Sequence, residues 1–251
     1  MGDKWLVILS GDQIDLEELA KTCTEPGLSV VKGKGEFFLE SSDFADADTP
    51  ASISEKAARI ISQLNGACRL ALSSLTPLNC TVHKLREDGT KVSFVGGSFV
   101  AAAGARATIG IKVIRADGTV EEISEAGPIP FWMSLARSNA KVATVLDLLG
   151  VADWSSWVSL YRIFDVVESD LGSKNTGRQA IVSRGWATRD DIVRFRYTAN
   201  SFKELGKEAR HGDEAATHHP NPPPVPMSNS EARALVERIL HNWLRAKGGK
   251  S

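Results

Sequence analysis

The sequence predicts an α+β protein in which a sheet region comes first and an all-helical region follows. Two patterns carry this prediction. After Pro77 apolar residues alternate with polar ones, as in half-buried strands, whereas from Phe131 onward they recur every three or four residues, as on one face of a helix. The chain of 251 residues is 42% hydrophobic and 24% charged, a composition that can bury a full core. We therefore expect a sheet domain over residues 1–130 and a helical domain over residues 131–251.

Strands and helices alternate at the N-terminus in the order β-α-β-β-α-β, which over residues 5–85 predicts a ferredoxin-like sandwich. Its elements are a strand at 5–9, a helix at 12–23 closed by Gly27, hairpin strands at 28–31 and 36–40, and a long helix with Thr49 as its cap and Pro50 in its first turn. Asp-Gly pairs at 88–89 and 117–118 then predict two β-hairpins, because both positions of such a turn need positive φ. We expect these hairpins to extend the sheet.

The C-terminal half predicts a series of amphipathic or buried helices. They are expected at 134–150, ending at Gly150; at 153–171, capped by Asp153; at 188–199, capped by Thr188; at 205–212, ending at Gly212; and from Ser228, whose capping box includes Glu231. The helix at 153–171 is apolar on so many sides that it is expected to run through the middle of this half.

Composition and motifs exclude several classes of protein. No run of about 18 apolar residues exists, so no membrane span is expected. The three cysteines form no C-x-x-C pair, which favours a reducing cytoplasm over a disulfide framework or a zinc knuckle. Neither a Walker loop nor G-x-S-x-G occurs. We expect no cofactor and no metal.

Positive charge is concentrated in one segment, because residues 171–212 contain nine Lys and Arg against four Asp and Glu. Such an excess can attract phosphate groups, although a solvated helical surface gives the same pattern. The residues expected to bind nucleic acid are Arg184, Arg189, Arg194, Arg196, Lys203 and Lys207.

A second cluster follows, in which Arg210, His211, His218 and His219 come just before a proline-rich stretch. Arginine offers a forked donor to phosphate oxygens, and histidine can transfer a proton near neutral pH. The prolines favour extended backbone and reduce the entropy of holding the loop in one place. The candidate catalytic residues are Arg210, His211 and His218.

The helical context of about 134–246, together with this Arg/His cluster, resembles the HEPN superfamily. Its members are helical bundles in which an Arg and a His on or near a late helix cleave RNA without a metal, usually at a site formed by two chains. The resemblance implies a metal-independent endoribonuclease and a homodimer. Here seven residues separate Arg210 from His218, whereas the HEPN motif has four to six. A second resemblance, carried by TAN (198–200), ARHG (209–212) and P-x-P-M-S (224–228), is to bacterial proteins of similar length and assigns no activity.

Three interpretations of the cluster remain open. In the first it is structural: Arg210 pairs with Asp213, Glu214 or a buried carbonyl, and the histidines cap helix ends. In the second, the basic segment binds nucleic acid or a nucleotide without chemistry. In the third, Arg210 and a histidine cleave RNA. A zinc site at the three histidines is less favoured because no fourth ligand follows in the pattern. A scaffold that binds a protein partner is the remaining class.

Overall fold

The computed structural model of the chain describes residues 4–33, 35–73, 76–87, 90–94, 111–114, 120–123, 127–210 and 223–249. Its contacts divide the chain into two compact units, Met1–Arg137 and Ser138–Ser251. None of the helices in the described ranges is long and apolar enough to cross a membrane.

The described part of the N-terminal unit contains strands, three α-helices and a 3-10 turn at Ser42–Phe44. In chain order the strands and α-helices are β1 (Lys4–Ser10), α1 (Gln13–Thr22), β2 (Thr24–Glu25), β3 (Leu28–Lys32), β4 (Phe37–Ser41), α2 (Pro50–Leu72), β5 (Asn79–Leu85), β6 (Lys91–Phe94), β7 (Ile111–Ile114), β8 (Val120–Ile123) and α3 (Ile129–Ser138).

Six strands form one antiparallel sheet in the order β2-β3-β4-β1-β5-β6. Its four main strands, β3-β4-β1-β5, with α1 and α2 as the connections, have the predicted ferredoxin-like order. The first predicted hairpin extends this sheet as β5 and β6, but the second is a separate two-stranded sheet of β7 and β8. The expectation that both hairpins join the main sheet is therefore wrong. The Asp-Gly turns themselves lie outside the described residues.

One row of side chains across this sheet shows where the core lies. Val30 pairs with Leu39, Leu39 with Val7, and Val7 with Val82, and all four are at most 3% exposed. Because side chains alternate along a strand, this whole row faces the same side of the sheet. The apolar stripe of α2 is also buried, so sheet and helices form a two-layer core.

Local end signals place most helix boundaries in this unit. Thr49 caps α2 as predicted, since its hydroxyl accepts a hydrogen bond from the Ser52 amide at 3.2 Å. Gly27 does not close α1, which ends at Thr22 because the chain enters β2 two residues later. Gly27 instead forms the turn between β2 and β3 with a φ of 103°.

The regular secondary structure in the described part of the C-terminal unit is all helical. Its helices are α4 (Ala140–Gly150), α5 (Trp157–Leu171), α6 (Lys174–Ser183), α7 (Arg189–Asn200), α8 (Phe202–Leu205) and α9 (Asn229–Lys247), and a 3-10 turn follows α8 at Gly206–Glu208. As predicted, α5 is central: it packs against α4, α6, α7 and α9.

Two predicted helices in this half differ from the structure for the same reason, a better cap farther along the chain: one is split in two and the other starts later. The helix expected at 134–150 is interrupted at Asn139, whose side chain accepts hydrogen bonds from two amides of α4. Helix α5 begins after Ser156, whose hydroxyl accepts from Ser159, so Asp153 is not its cap. Helix α6 was not predicted. The predicted cap at Thr188 and the predicted capping box at Ser228 are confirmed, and Thr188 also forms a capping box with Asp191.

Candidate functional site

Helices α6 and α7 present one face each to a shared groove of about 570 Å³. Its lining side chains are Asn175, Arg178, Gln179, Val182 and Ser183 from α6, and Arg189, Ile192, Val193 and Arg196 from α7. Within each helix these positions recur at spacings of three and four, which is one continuous helical face.

The opposite faces of the two helices explain why these residues point into the groove. On α6, Gly177 and Ile181 are buried, and Gly177 lies so close to the Glu168 carbonyl that a Cβ would collide with it. On α7, Phe195 is fully buried and its ring stacks on that of Tyr161 at a centroid distance of 5.7 Å. Since both helices pack their most buried faces on α5, faces that carry the arginines together with Val182, Ile192 and Val193 are left for the groove.

The groove is electropositive. It contains three arginines, and among the described residues that line it none is Asp or Glu. Arg178 is partly neutralised from behind by Glu168, whose Oε1 lies 2.7 Å from the arginine Nε and whose side chain is 5% exposed. A net excess of positive charge remains at the surface that a ligand would meet.

The other two groove arginines differ in how they are held. Arg196 donates from Nε to the Tyr161 hydroxyl at 3.2 Å. Arg189 is exposed in the first turn of α7 and has no ion pair or hydrogen bond of its side chain within the described part of the chain. A cation in a first turn opposes the helix dipole, so stability does not account for Arg189.

A phosphate group fits this arrangement chemically. Guanidinium groups bind phosphate oxygens with two parallel hydrogen bonds, and three arginines line this groove. Val182, Ile192 and Val193 give the groove an apolar wall beside the arginines, and Val193 is 40% exposed. The volume is in the usual range for small-molecule sites, about 300–1,000 Å³.

Sequence reasoning placed two of the groove residues, Arg189 and Arg196, among the expected binding residues and missed the contribution of α6. The signal was present, because Asn175, Arg178, Gln179, Val182 and Ser183 already show helical spacing after Ser173. Gly177 in the middle of this stretch weakens the helical pattern.

The remaining predicted binding residues lie outside the groove lining. Arg194 donates hydrogen bonds to the carbonyls of Val225 and Pro226 and pairs with Glu231 at 3.2 Å. These contacts hold the segment that leads into α9 against α7. Hydrogen bonds from the amide and hydroxyl of Ser228, and from Arg194, hold the pKa of Glu231 below its ordinary value. Arg184 lies over the Trp186 ring at 5.1 Å. Lys203 and Lys207 are exposed on α8 and the turn after it.

The Arg210 side chain contacts two residues of α5. Its Nη2 lies 3.5 Å from Asp165 Oδ2, and its guanidinium carbon lies 4.4 Å from the centre of the Tyr161 ring. Both partners of the ion pair are 37% exposed, so the guanidinium is not locked in the core. His211, His218 and His219 lie outside the described residues, as do Asp213 and Glu214. The catalytic assignment of Arg210, His211 and His218 therefore stays a prediction.

The three segments of the second resemblance meet at the end of α7. The Arg210 amide donates to the Ala199 carbonyl at 2.8 Å, and the Met227 amide donates to the Thr198 hydroxyl at 2.9 Å. Thr198, Ala199 and Met227 are all buried. This arrangement gives residues of TAN, ARHG and P-x-P-M-S a shared structural role.

No group of three or more His, Cys, Asp or Glu side chains is placed to hold a metal ion within the described ranges. Comparison of the chain with family models, curated proteins and solved structures finds no match in any of the three.

Proposed function

We propose that the helical unit binds nucleotides, either free or within a single-stranded nucleic acid, in the groove between α6 and α7. The observation that carries this proposal is that Arg178, Arg189 and Arg196 line one groove whose described lining contains no acidic side chain. Arginine-lined surfaces of this kind attract phosphates and supply most of the affinity of sequence-independent nucleic-acid binding.

The rest of the lining favours a nucleotide over a bare inorganic anion. An apolar wall of Val182, Ile192 and Val193 gives the face of a base somewhere to pack. The amides of Asn175 and Gln179 can hydrogen-bond with base edges or sugar hydroxyls. Arginine side chains also stack on bases, so they can serve both parts of the ligand.

The test is a fluorescence anisotropy titration of the full chain. One arm uses a labelled single-stranded oligoribonucleotide and the other a labelled nucleoside triphosphate, which distinguishes strand from free nucleotide. Arg189→Ala is expected to weaken binding about tenfold, because it removes a charge-assisted contact. Arg189 has no described side-chain partner, so the substitution disturbs no described ion pair or hydrogen bond of that side chain.

Arg162→Ala is the matched control. Arg162 is an exposed arginine on α5 that does not line the groove, and its removal changes the net charge by the same amount. Binding that is unchanged by Arg162→Ala and weakened by Arg189→Ala supports the groove. If neither probe binds, or if both variants lose affinity equally, the groove is not the binding site.

A further inference from the structure

We propose that the Tyr161 hydroxyl is a positioning group that holds Arg196 ready for the ligand phosphate. This inference rests on the proposed function, since it concerns how the same groove is organised. It adds a residue that does not line the groove and that no charge pattern indicates.

The Tyr161 ring is fixed by its surroundings. The side chain is 3% exposed, stacks on Phe195 at an interplanar angle of 18°, and tilts against Phe164 with ring centroids 6.4 Å apart. A buried ring that packs against two other aromatic rings has a defined orientation. The position of its hydroxyl is therefore set by the core of the helical unit.

That hydroxyl accepts a hydrogen bond from Arg196 Nε at 3.2 Å. A bond at Nε fixes the plane of the guanidinium while leaving both Nη groups for another partner. Within the described residues, no other hydrogen bond or ion pair of the Arg196 side chain occurs. The two Nη groups are the atoms that make a forked contact with a phosphate.

Arg178 is also held by a residue of α5, in this case through an ion pair. Its Nε also faces a buried group of α5, the Glu168 carboxylate at 2.7 Å. Tyr161 and Glu168 are seven residues apart, so they occupy the same face of α5 about 10 Å apart along its axis. One face of the central helix thus orients two arginines of the groove.

Holding an arginine before the ligand arrives strengthens binding. A free arginine side chain loses much of its rotamer entropy when it binds a phosphate, and this entropy cost lowers the affinity. If Tyr161 has already restricted Arg196, part of this cost falls on folding and not on binding. Removing the hydroxyl is then expected to reduce affinity without removing any atom that contacts the ligand.

The test is a double-mutant cycle of Tyr161→Phe and Arg196→Ala, read by the same anisotropy titrations. Tyr161→Phe keeps the ring, and with it the stacking on Phe195 and the contact with Arg210. It is expected to weaken binding about three- to tenfold in the wild-type background. In the Arg196→Ala background it is expected to have no effect, because the group it positions is absent.

Two further variants separate positioning from general structural effects. Tyr197→Phe is the matched control: it removes a hydroxyl that bonds Glu204 at 3.2 Å, and binding should stay at the wild-type level. Arg196→Lys keeps the charge but lacks an Nε–H donor, so it should weaken binding at least as much as Tyr161→Phe. Thermal melting of each variant shows whether the fold is intact.

The outcomes are distinguishable. If the wild-type chain binds neither probe, the proposed function fails and the inference fails with it. If the wild type binds and Arg196→Ala weakens binding, but Tyr161→Phe or Arg196→Lys does not, only the positioning role is wrong. A Tyr161→Phe effect of equal size in both backgrounds also overturns it, because the hydroxyl would then act through something other than Arg196.

Discussion

Thr198 shows how a single side chain can join segments that are distant in sequence. It is 1% exposed, and its hydroxyl accepts a hydrogen bond from the Met227 amide, 29 residues later. A buried amide that loses its partner retains the full cost of desolvation. The contact therefore anchors the chain where it returns to enter α9.

Thr198→Val, which keeps the shape and removes the acceptor, is expected to destabilise the helical unit by about 1–3 kcal/mol. The measurement is urea unfolding followed by tryptophan fluorescence, since four of the six tryptophans lie in this unit. The same substitution at exposed Thr144, whose hydroxyl bonds only within its own helix, should change stability by less than about 0.5 kcal/mol. Equal losses of stability at the two sites would contradict the proposal that the Thr198 hydroxyl anchors the Met227 amide.

The arginines of the basic segment show what sequence alone leaves open at this scale. Charge counting treats Arg189, Arg194 and Arg196 alike, but their contacts differ. Arg189 is exposed and has no described side-chain partner. Arg194 hydrogen-bonds to backbone carbonyls just before α9, and Arg196 hydrogen-bonds to the Tyr161 hydroxyl. These differences depend on partners 31 to 37 residues away in the sequence. A pattern of spacings does not contain that information.

Among the elements, α6 depends on one close approach. Gly177 lets the α6 backbone approach α5 until only a hydrogen atom fits between them at this point. The same approach brings Arg178 next to Glu168 and so forms one side of the groove. Glycine is a poor helix residue, so its place inside α6 is explained by packing.

The sign of the stability change in Gly177→Ala shows whether close packing against α5 or intrinsic helix propensity dominates at this position. In a solvent-exposed helix the change would stabilise by about 1 kcal/mol, but here the added methyl meets the Glu168 carbonyl, and we expect a net loss of about 1–3 kcal/mol. Gln179→Ala, on the exposed face of the same helix, should be nearly neutral. Urea unfolding measures both, and a stabilised Gly177→Ala variant would contradict the close packing.

Elements whose signals are local were predictable. The predicted caps at Thr49, Thr188 and Ser228 need only residues within three positions, and all three are confirmed. The order of the four main strands followed from the alternation of elements. Features that depend on tertiary contacts were not predictable. One is α6, whose interior glycine weakens the helical pattern, and the other is the separation of β7 and β8 from the main sheet.

At the scale of the whole molecule, charge is distributed unevenly although the total is close to zero. The net charge is −1, but residues 151–251 contain 15 Lys and Arg against 12 Asp and Glu, whereas residues 1–150 contain 15 against 19. A nearly neutral chain attracts polyanions weakly at long range. Nucleotide binding must therefore come from a few local contacts, and the groove provides three arginines, one of them paired with Glu168.

The salt dependence of binding measures how many such contacts form. For a single strand, the logarithm of the binding constant falls with the logarithm of salt concentration with a slope of about −0.7 per neutralised phosphate, so two or three groove contacts predict a slope of about −1.5 to −2. Arg189→Ala should make this slope shallower by about 0.7, while Arg162→Ala should leave it unchanged, as titrations between low and moderate salt would show. A slope steeper than about −5 would mean that much of the basic segment 171–212 contacts the strand, and a slope near zero would mean that phosphates are not what the groove binds.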